Sequence, residues 1–266
     1  MIRPSVLVFA GSDPSGGAGI QADVQAIAAL GAHPLSSITA LTVQDNDRVY
    51  KVQAVAAELV LQQARALIDK MDIAAVKIGI AGSRANAEAI AEAIGLLRQR
   101  RPNLHVVLDP VLASGHGDTL SADDPRESVR LLLPLATLVT PNLPEAAALC
   151  EGERRLDAQA ELLLAHCPNV LIKGGHGDGR DVVNRWFSKG GQRNWTWPRL
   201  EGGFHGSGCT LASAIAALLA RGMPMGDALE RGQSYCQQAL TAAYAIADGQ
   251  RMPDRGITLE NRESRT

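Results

Sequence analysis

Residues 205–209 read HGSGC and run straight into the apolar stretch TLASAIAALLA. A glycine-rich turn at a helix start aims the backbone N–H groups of Ser207, Gly208 and Cys209 into one concavity, where the helix dipole adds to their hydrogen bonds. That is a place for an anion. A helix N-terminus also lowers a thiol's pKa, so Cys209 reads as a base for a hydroxyl, or as a small residue that merely fits. Lys173 ends the apolar run NVLIK. Burying an ammonium without an anion is costly, and a phosphate is one candidate partner. Asp109 ends HVVLD, where a carboxylate binds a metal, orients one of its waters, or only caps a loop. In TPNLPEA, Asn142 and Glu145 stand three apart. They form either a capping box or a Mg²⁺ site made through waters, since Mg²⁺ takes few protein carboxylates. Gln44 follows LSSITALTV, and its amide both donates and accepts, which suits the edge of a heterocycle.

The stretch AGSDPSGGAGIQAD (10–23) contains G-A-G-I-Q-A, a formal dinucleotide fingerprint. In that fingerprint the glycines follow the strand at once, whereas here residues 11–16 intervene. It is not a phosphate loop of the lysine type either, because Gly16 is followed by Gly17. Asp13 and Asp23 make a polar ligand plausible, and a loop needed only for turning is the alternative.

These residues need elements to carry them. Short β-branched runs at 5–10, 35–43, 74–80, 105–111, 136–141 and 169–175 alternate with helical patterns. In the second helical pattern Ala57, Leu61, Ala64, Leu67 and Ile68 share a face at a period near 3.6. Gly31 stands where a helix C-terminus wants a glycine. Strands joined by crossover helices predict a mainly parallel sheet covered on both faces. DVVNRWFS and QRNWTWPRL flank KGG and predict a short antiparallel hairpin at one sheet edge. Two helices follow, at 207–221 and 225–247. In an open parallel sheet, ligands bind beyond the carboxyl ends of the strands, and the chemically informative residues fall there. Residues 1–252 are expected to form one domain, and 253–266, rich in Arg and Glu, a loosely held tail.

With 266 residues and a 46% apolar fraction, the chain can bury a sizeable core. Net charge is −2 and no basic stripe stands out, so the footprint of a nucleic-acid binder is absent. The first apolar run is too short for a secretory signal, and 211–220 is half a membrane span. A cytoplasmic protein with neither nucleic-acid nor membrane partners is expected. The four cysteines, Cys150, Cys167, Cys209 and Cys236, form no C-x-x-C pair.

Together, AGSDPSGGAGIQAD, ALTVQD, KIGI, LDPV, TPNLPEA, IKGGH and HGSGCTLASAIAALL resemble the hydroxymethylpyrimidine/phosphomethylpyrimidine kinases of the ribokinase-like superfamily, from about residue 5 to 247. The resemblance implies a three-layer α/β/α fold and a homodimer. It implies ATP- and Mg²⁺-dependent phosphorylation of 4-amino-5-hydroxymethyl-2-methylpyrimidine, then of its monophosphate, for thiamine synthesis. It maps Gln44 onto the residue that binds the aminopyrimidine, with Asp23 and Gly11 beside it. Lys173 and Glu145 fall in the phosphate and magnesium region with Asp109 and Asn142, and Gly206, Ser207, Gly208 and Cys209 match the anion hole. Ser207 replaces a usual threonine, Ile80 a frequent methionine, and Gln233 a frequent lysine near the phosphates. Where related sugar kinases use an aspartate base, the cysteine reads as a compromise. It stays neutral beside a phosphate nucleophile, already mostly ionised near neutral pH with a second pKa of about 6, and ionises for an alcohol. A pyridoxal or pyridoxine kinase is the alternative enzyme. A ligand-binding regulator on the same fold is the alternative from another class, and a dinucleotide oxidoreductase fits least.

Overall fold

A computed structural model describes residues 2–257. The chain runs β1 (Ser5–Ser12), α1 (Gly19–Ala29), β2 (His33–Gln44), β3 (Val49–Ala54), α2 (Ala57–Lys70), β4 (Ile73–Ile78), α3 (Arg84–Arg100) and β5 (His105–Leu108). It continues through α4 (Pro125–Leu132), β6 (Leu138–Val139), α5 (Leu143–Leu149), α6 (Leu156–Leu164), β7 (Asn169–Ile172), β8 (Asp181–Ser188), β9 (Gly191–Pro198), α7 (Ser207–Ala220) and α8 (Met225–Thr241).

All nine strands form one sheet in the order β3-β2-β1-β4-β5-β6-β7-β8-β9. From β2 to β7 the pairings are parallel. Both faces are buried, and strand alternation sorts the side chains between them. From β1, Leu7 and Phe9 join a core with Val60 of α2, Ile90 of α3, Leu132 of α4 and Leu163 of α6. Val6, Val8 and Ala10 join the opposite core with Ile27 of α1, Ile215 of α7 and Leu229 of α8. The result is the expected three-layer α/β/α fold. Burying each aliphatic side chain is worth about 1.5–3 kcal/mol, which is how two continuous layers fix one register.

The hairpin expected at 181–200 is present as β8–β9, ending at Pro198, with Ser188 paired to Gly191. The opposite edge differs from expectation, because β3 pairs antiparallel with β2. Its sequence VYKVQA is short, no residue of it is fully buried, and Lys51 and Gln53 break any continuous apolar run. The tail differs too. Arg255 is only 2% exposed, Asp254 N–H donates to Ala239 O, and the Tyr235 hydroxyl donates to Arg255 O at 2.8 Å. Residues 253–257 are therefore fastened to the body through α8, and 258–266 lie outside the described residues.

Candidate active site

The parallel strands deliver their carboxyl ends to one rim, where a cavity of about 530 Å³ opens. The turn before α7 forms one wall. Gly206 caps α7 with φ of +73°, and a Cβ there would come within 2.0 Å of Gly17 O. Both the backbone angle and the approach require glycine. Thr210 fixes the turn twice, its N–H and its hydroxyl donating to Gly206 O at 2.9 and 2.8 Å. Opposite, Asp13 holds the 11–19 loop in place. It accepts from Ala18 N–H at 2.7 Å and from His205 Nε2–H at 2.8 Å. Burial pushes the Asp13 carboxyl up, but hydrogen bonds from His205 and Ser15 outweigh it and bring its pKa to about 2.

Beneath the turn lies an ion pair. Lys173 Nζ donates to Asp109 Oδ1 at 2.8 Å, and Thr140 Oγ1 donates to the same oxygen at 3.3 Å. Asp109 Oδ2 is buried with no hydrogen-bond partner, a costly state that calls for a ligand. Burial alone would lower the Lys173 pKa, yet Asp109 and Glu145 hold it above the ordinary lysine value. Gly208 faces this pair. A Cβ on it would sit 3.2 Å from Lys173 Nζ and 3.5 Å from Asp109 Oδ2, so glycine here leaves room over the charges.

Asn142 and Glu145 form a complete capping box on α5, with Glu145 N–H donating to Asn142 Oδ1 and Asn142 N–H to Glu145 Oε2, both at 2.8 Å. The structural reading of this pair is thus present as geometry. It does not account for the surroundings. Burial, opposed by Lys173 and reinforced by Asp109, raises the Glu145 pKa from 4.5 to about 7. A cap on the protein surface incurs no such penalty.

Residues 13–254 match a family model described as phosphomethylpyrimidine kinase. A hydroxymethylpyrimidine/phosphomethylpyrimidine kinase of Streptomyces coelicolor is 40% identical over 266 residues, covering 96% of each chain. The chain belongs to the phosphomethylpyrimidine kinase family. Among solved structures, pyridoxal kinase of Staphylococcus aureus in complex with ADP is 26% identical with a TM-score of 0.86, covering 96% of this chain and 94% of that one. Phosphomethylpyrimidine kinase of Clostridium difficile is 31% identical with a TM-score of 0.75, covering 90% and 100%. These similarities make the chain a kinase, and ATP use fits the nucleotide-bound neighbour.

For a kinase of this family, the cavity brings together Gly11, Gln44, Asp109, Asn142, Glu145, Lys173 and the turn 206–209. Asp23 is the exception. Expected beside the substrate, it lies in the interior, fully buried, with its carboxylate on Lys77 Nζ at 2.9 Å and on the Ser213 hydroxyl at 2.7 Å. The reason is helical phase. On α1, Ile20, Asp23 and Ile27 are all buried at i, i+3 and i+7. Lys77 went unread, although a lone lysine in the buried strand AAVKIGI is itself a signal of a hidden countercharge.

The thiol also departs from expectation. Cys209 faces the cavity, but burial, with Asp23 and Asp109 adding and Lys77 opposing, pushes its pKa up to about 11. The resting thiol is therefore neutral, the state suited to a phosphate nucleophile. Gln233 is buried and hydrogen-bonded through both its oxygen and its nitrogen. Its oxygen accepts from Asn184 and Trp197 at 2.8 and 3.1 Å, and its amide donates to Leu229 O at 3.0 Å. It braces β8 and β9 against α8, with one amide N–H left over at the cavity wall and no charge to offer a phosphate.

Proposed function

We propose that the chain phosphorylates 4-amino-5-hydroxymethyl-2-methylpyrimidine and then its monophosphate, with ATP as donor. The observation that carries this reading is the shared cavity. Gln44, at the end of β2, and the glycine turn of α7 line one space, sized for a small heterocycle next to a phosphoryl group. Phosphoryl transfer asks the protein mainly for positioning and charge stabilisation. The N–H groups of the turn 206–209 and the Lys173 ammonium supply donors for an anionic transition state. Gln44 orients the ring so that its hydroxymethyl oxygen faces the turn. A neutral Cys209 sits well beside a phosphate nucleophile, since no fixed charge repels it. For the alcohol step, the thiol offers a hydrogen bond rather than a ready base.

Magnesium fits the donor set. Asp109 Oδ2 lacks a partner and Glu145 is a second buried carboxylate on the same cavity. Among the described residues no three His, Cys, Asp or Glu side chains cluster, so Asp109, Glu145 and Asn142 would act largely through bound water, as Mg²⁺ prefers. When bound, the ion would neutralise charge on the donor phosphates. We also take the chain to act in the cytoplasm and as a homodimer, through the β2–β3 edge where Leu41, Val43 and Tyr50 are exposed.

The deciding assay incubates purified protein with Mg-ATP and the hydroxymethylpyrimidine and resolves mono- from diphosphate. The expected result is both products. Pyridoxal is the necessary second substrate, because a pyridoxal kinase superposes on this fold with a TM-score of 0.86. Faster turnover of pyridoxal than of the pyrimidine would replace the proposed substrate.

A further inference from the structure

Arg255 is nine-tenths or more buried, 2% exposed, and lies behind the glycine turn rather than in the cavity. Its Nε donates to Thr210 Oγ1 at 2.8 Å. Its Nη2 donates to Gly17 O and to His205 O, the latter at 3.3 Å. These acceptors belong to different parts of the site. Gly17 lies in the loop between β1 and α1, His205 opens the α7 turn, and Thr210 ties α7 to Gly206 O. The two loops are thus laced together twice, by Asp13 on one side and by the Arg255 fork on the other. A guanidinium is suited to such multiple carbonyl contacts because its donors form a rigid fork.

The second observation is its charge. Every acceptor of Arg255 is a neutral oxygen, and among the described residues it makes no ion pair. The nearby buried carboxylate, Asp23, is occupied by Lys77. A buried cation without a counter-ion is expensive unless an anion arrives, and the turn on its far side is built to receive one.

We propose that Arg255 is a positioning residue for phosphoryl transfer, fastening the two glycine loops from behind and leaving a positive charge to be matched by the phosphoryl anion in the turn. The proposal deepens the kinase reading given above and rests on it. Arg255 does not line the cavity. It acts through His205 O, which shares a peptide unit with Gly206 of the turn, and through Gly17 O, which fixes the facing loop, so its effect belongs to the transition state more than to ground-state binding.

The test compares Arg255→Met, which keeps the stem and removes fork and charge, with Arg255→Lys, which keeps the charge. For Arg255→Met, kcat should fall at least about tenfold while KM for the pyrimidine stays within about threefold. Arg255→Lys should recover part of the loss. The independent readout is thermal stabilisation by inorganic phosphate alone, against chloride at equal ionic strength. Wild type should be stabilised, Arg255→Lys should keep most of that response, and Arg255→Met should lose most of it. Wild-type kcat in folded Arg255→Met, or equal phosphate responses in all three proteins, would overturn the proposal, as would Arg255→Lys no better than Arg255→Met. If Arg255→Met does not fold, Arg255→Lys decides. Lowered kcat with the phosphate response kept supports the role, and unchanged kcat refutes it. Should wild type leave the pyrimidine untouched, the proposed substrate falls, while the phosphate response still tests Arg255.

Discussion

Glu145 separates a structural carboxylate from a functional one, and the separation is measurable. Its pKa rises from 4.5 to about 7 on folding, chiefly through burial. At about 1.4 kcal/mol per pH unit, holding the carboxylate ionised in the folded protein costs about 3 kcal/mol. The native state binds more protons than the unfolded chain between pH 4.5 and 7, so raising the pH across this window favours unfolding. The penalty is absent well below pH 4.5 and complete above 7. Glu145→Gln removes the titration and keeps the cap, because an amide oxygen still accepts from Asn142 N–H. Urea unfolding without nucleotide or magnesium should then show Glu145→Gln gaining on wild type as pH rises. The stability difference should grow by about 2 kcal/mol between roughly pH 5.5 and 8.5. Turnover should move the other way, falling at least about tenfold, a barrier increase of ~1.4 kcal/mol. A variant that is destabilised by about 1 kcal/mol at every pH, with near-normal turnover at saturating Mg²⁺, would make Glu145 a helix cap and nothing more.

Three further outcomes are expected. Gly208→Ala should fold with nearly wild-type thermal stability, since its nearest contact is the flexible Lys173 ammonium at 3.2 Å, yet lose most turnover because the methyl group fills the space over Lys173 and Asp109; retained activity would show that no phosphate passes there. Gln44→Leu should raise KM for the pyrimidine strongly and leave KM for ATP nearly unchanged, and equal effects on both would point to a general defect. Cys209, with its pKa near 11, should react slowly with iodoacetamide at pH 8 by peptide mass spectrometry and faster toward pH 11; an inflection below 8 would restore the activated thiol.

The sequence carried the site further than the fold's edges. Asp109, Lys173 and Glu145 were legible because each charge terminates or follows an apolar strand, and parallel topology sends all those ends to one rim. Strand β3 was missed although Tyr50, Val52 and Ala54 alternate with Lys51 and Gln53, because six residues beside a helical pattern make a short signal. Asp23 was misplaced by motif although its phase with Ile20 and Ile27 already put it on the buried face of α1. Arg255 had no local signal at all. Its partners Gly17, His205 and Thr210 lie 45 or more residues away, and an arginine in a polar tail looks like solvated charge until the chain is folded. The state of the Cys209 thiol was open for a quantitative reason. The dipole effect and burial oppose each other at a helix start, and only the three-dimensional surroundings decide which is larger.

Those surroundings also imply how the site takes up a polyphosphate. Lys77 is matched by Asp23 and Lys173 by Asp109, so each ammonium already has a countercharge from the protein. Lys173 Nζ carries three donors and spends one on Asp109 Oδ1, so it can hold the carboxylate and a phosphate oxygen together. A phosphate bound there would lie next to Asp109 Oδ2, a buried carboxylate oxygen with no partner, which is where a divalent cation gains most. Asp109→Asn tests the argument. It removes the charge that holds Lys173 and would repel the ligand; at ~4 Å and an effective dielectric near 20, a unit pair costs roughly 4 kcal/mol before screening. Even a quarter of that, about 1 kcal/mol, tightens binding by about fivefold. Without Mg²⁺, Asp109→Asn should therefore bind ATP more tightly than wild type by calorimetry. With Mg²⁺, it should turn over more slowly, because a carboxylate suited to the ion is gone. Weaker ATP binding in both conditions would mean that Asp109 positions Lys173 for the nucleotide instead of repelling it.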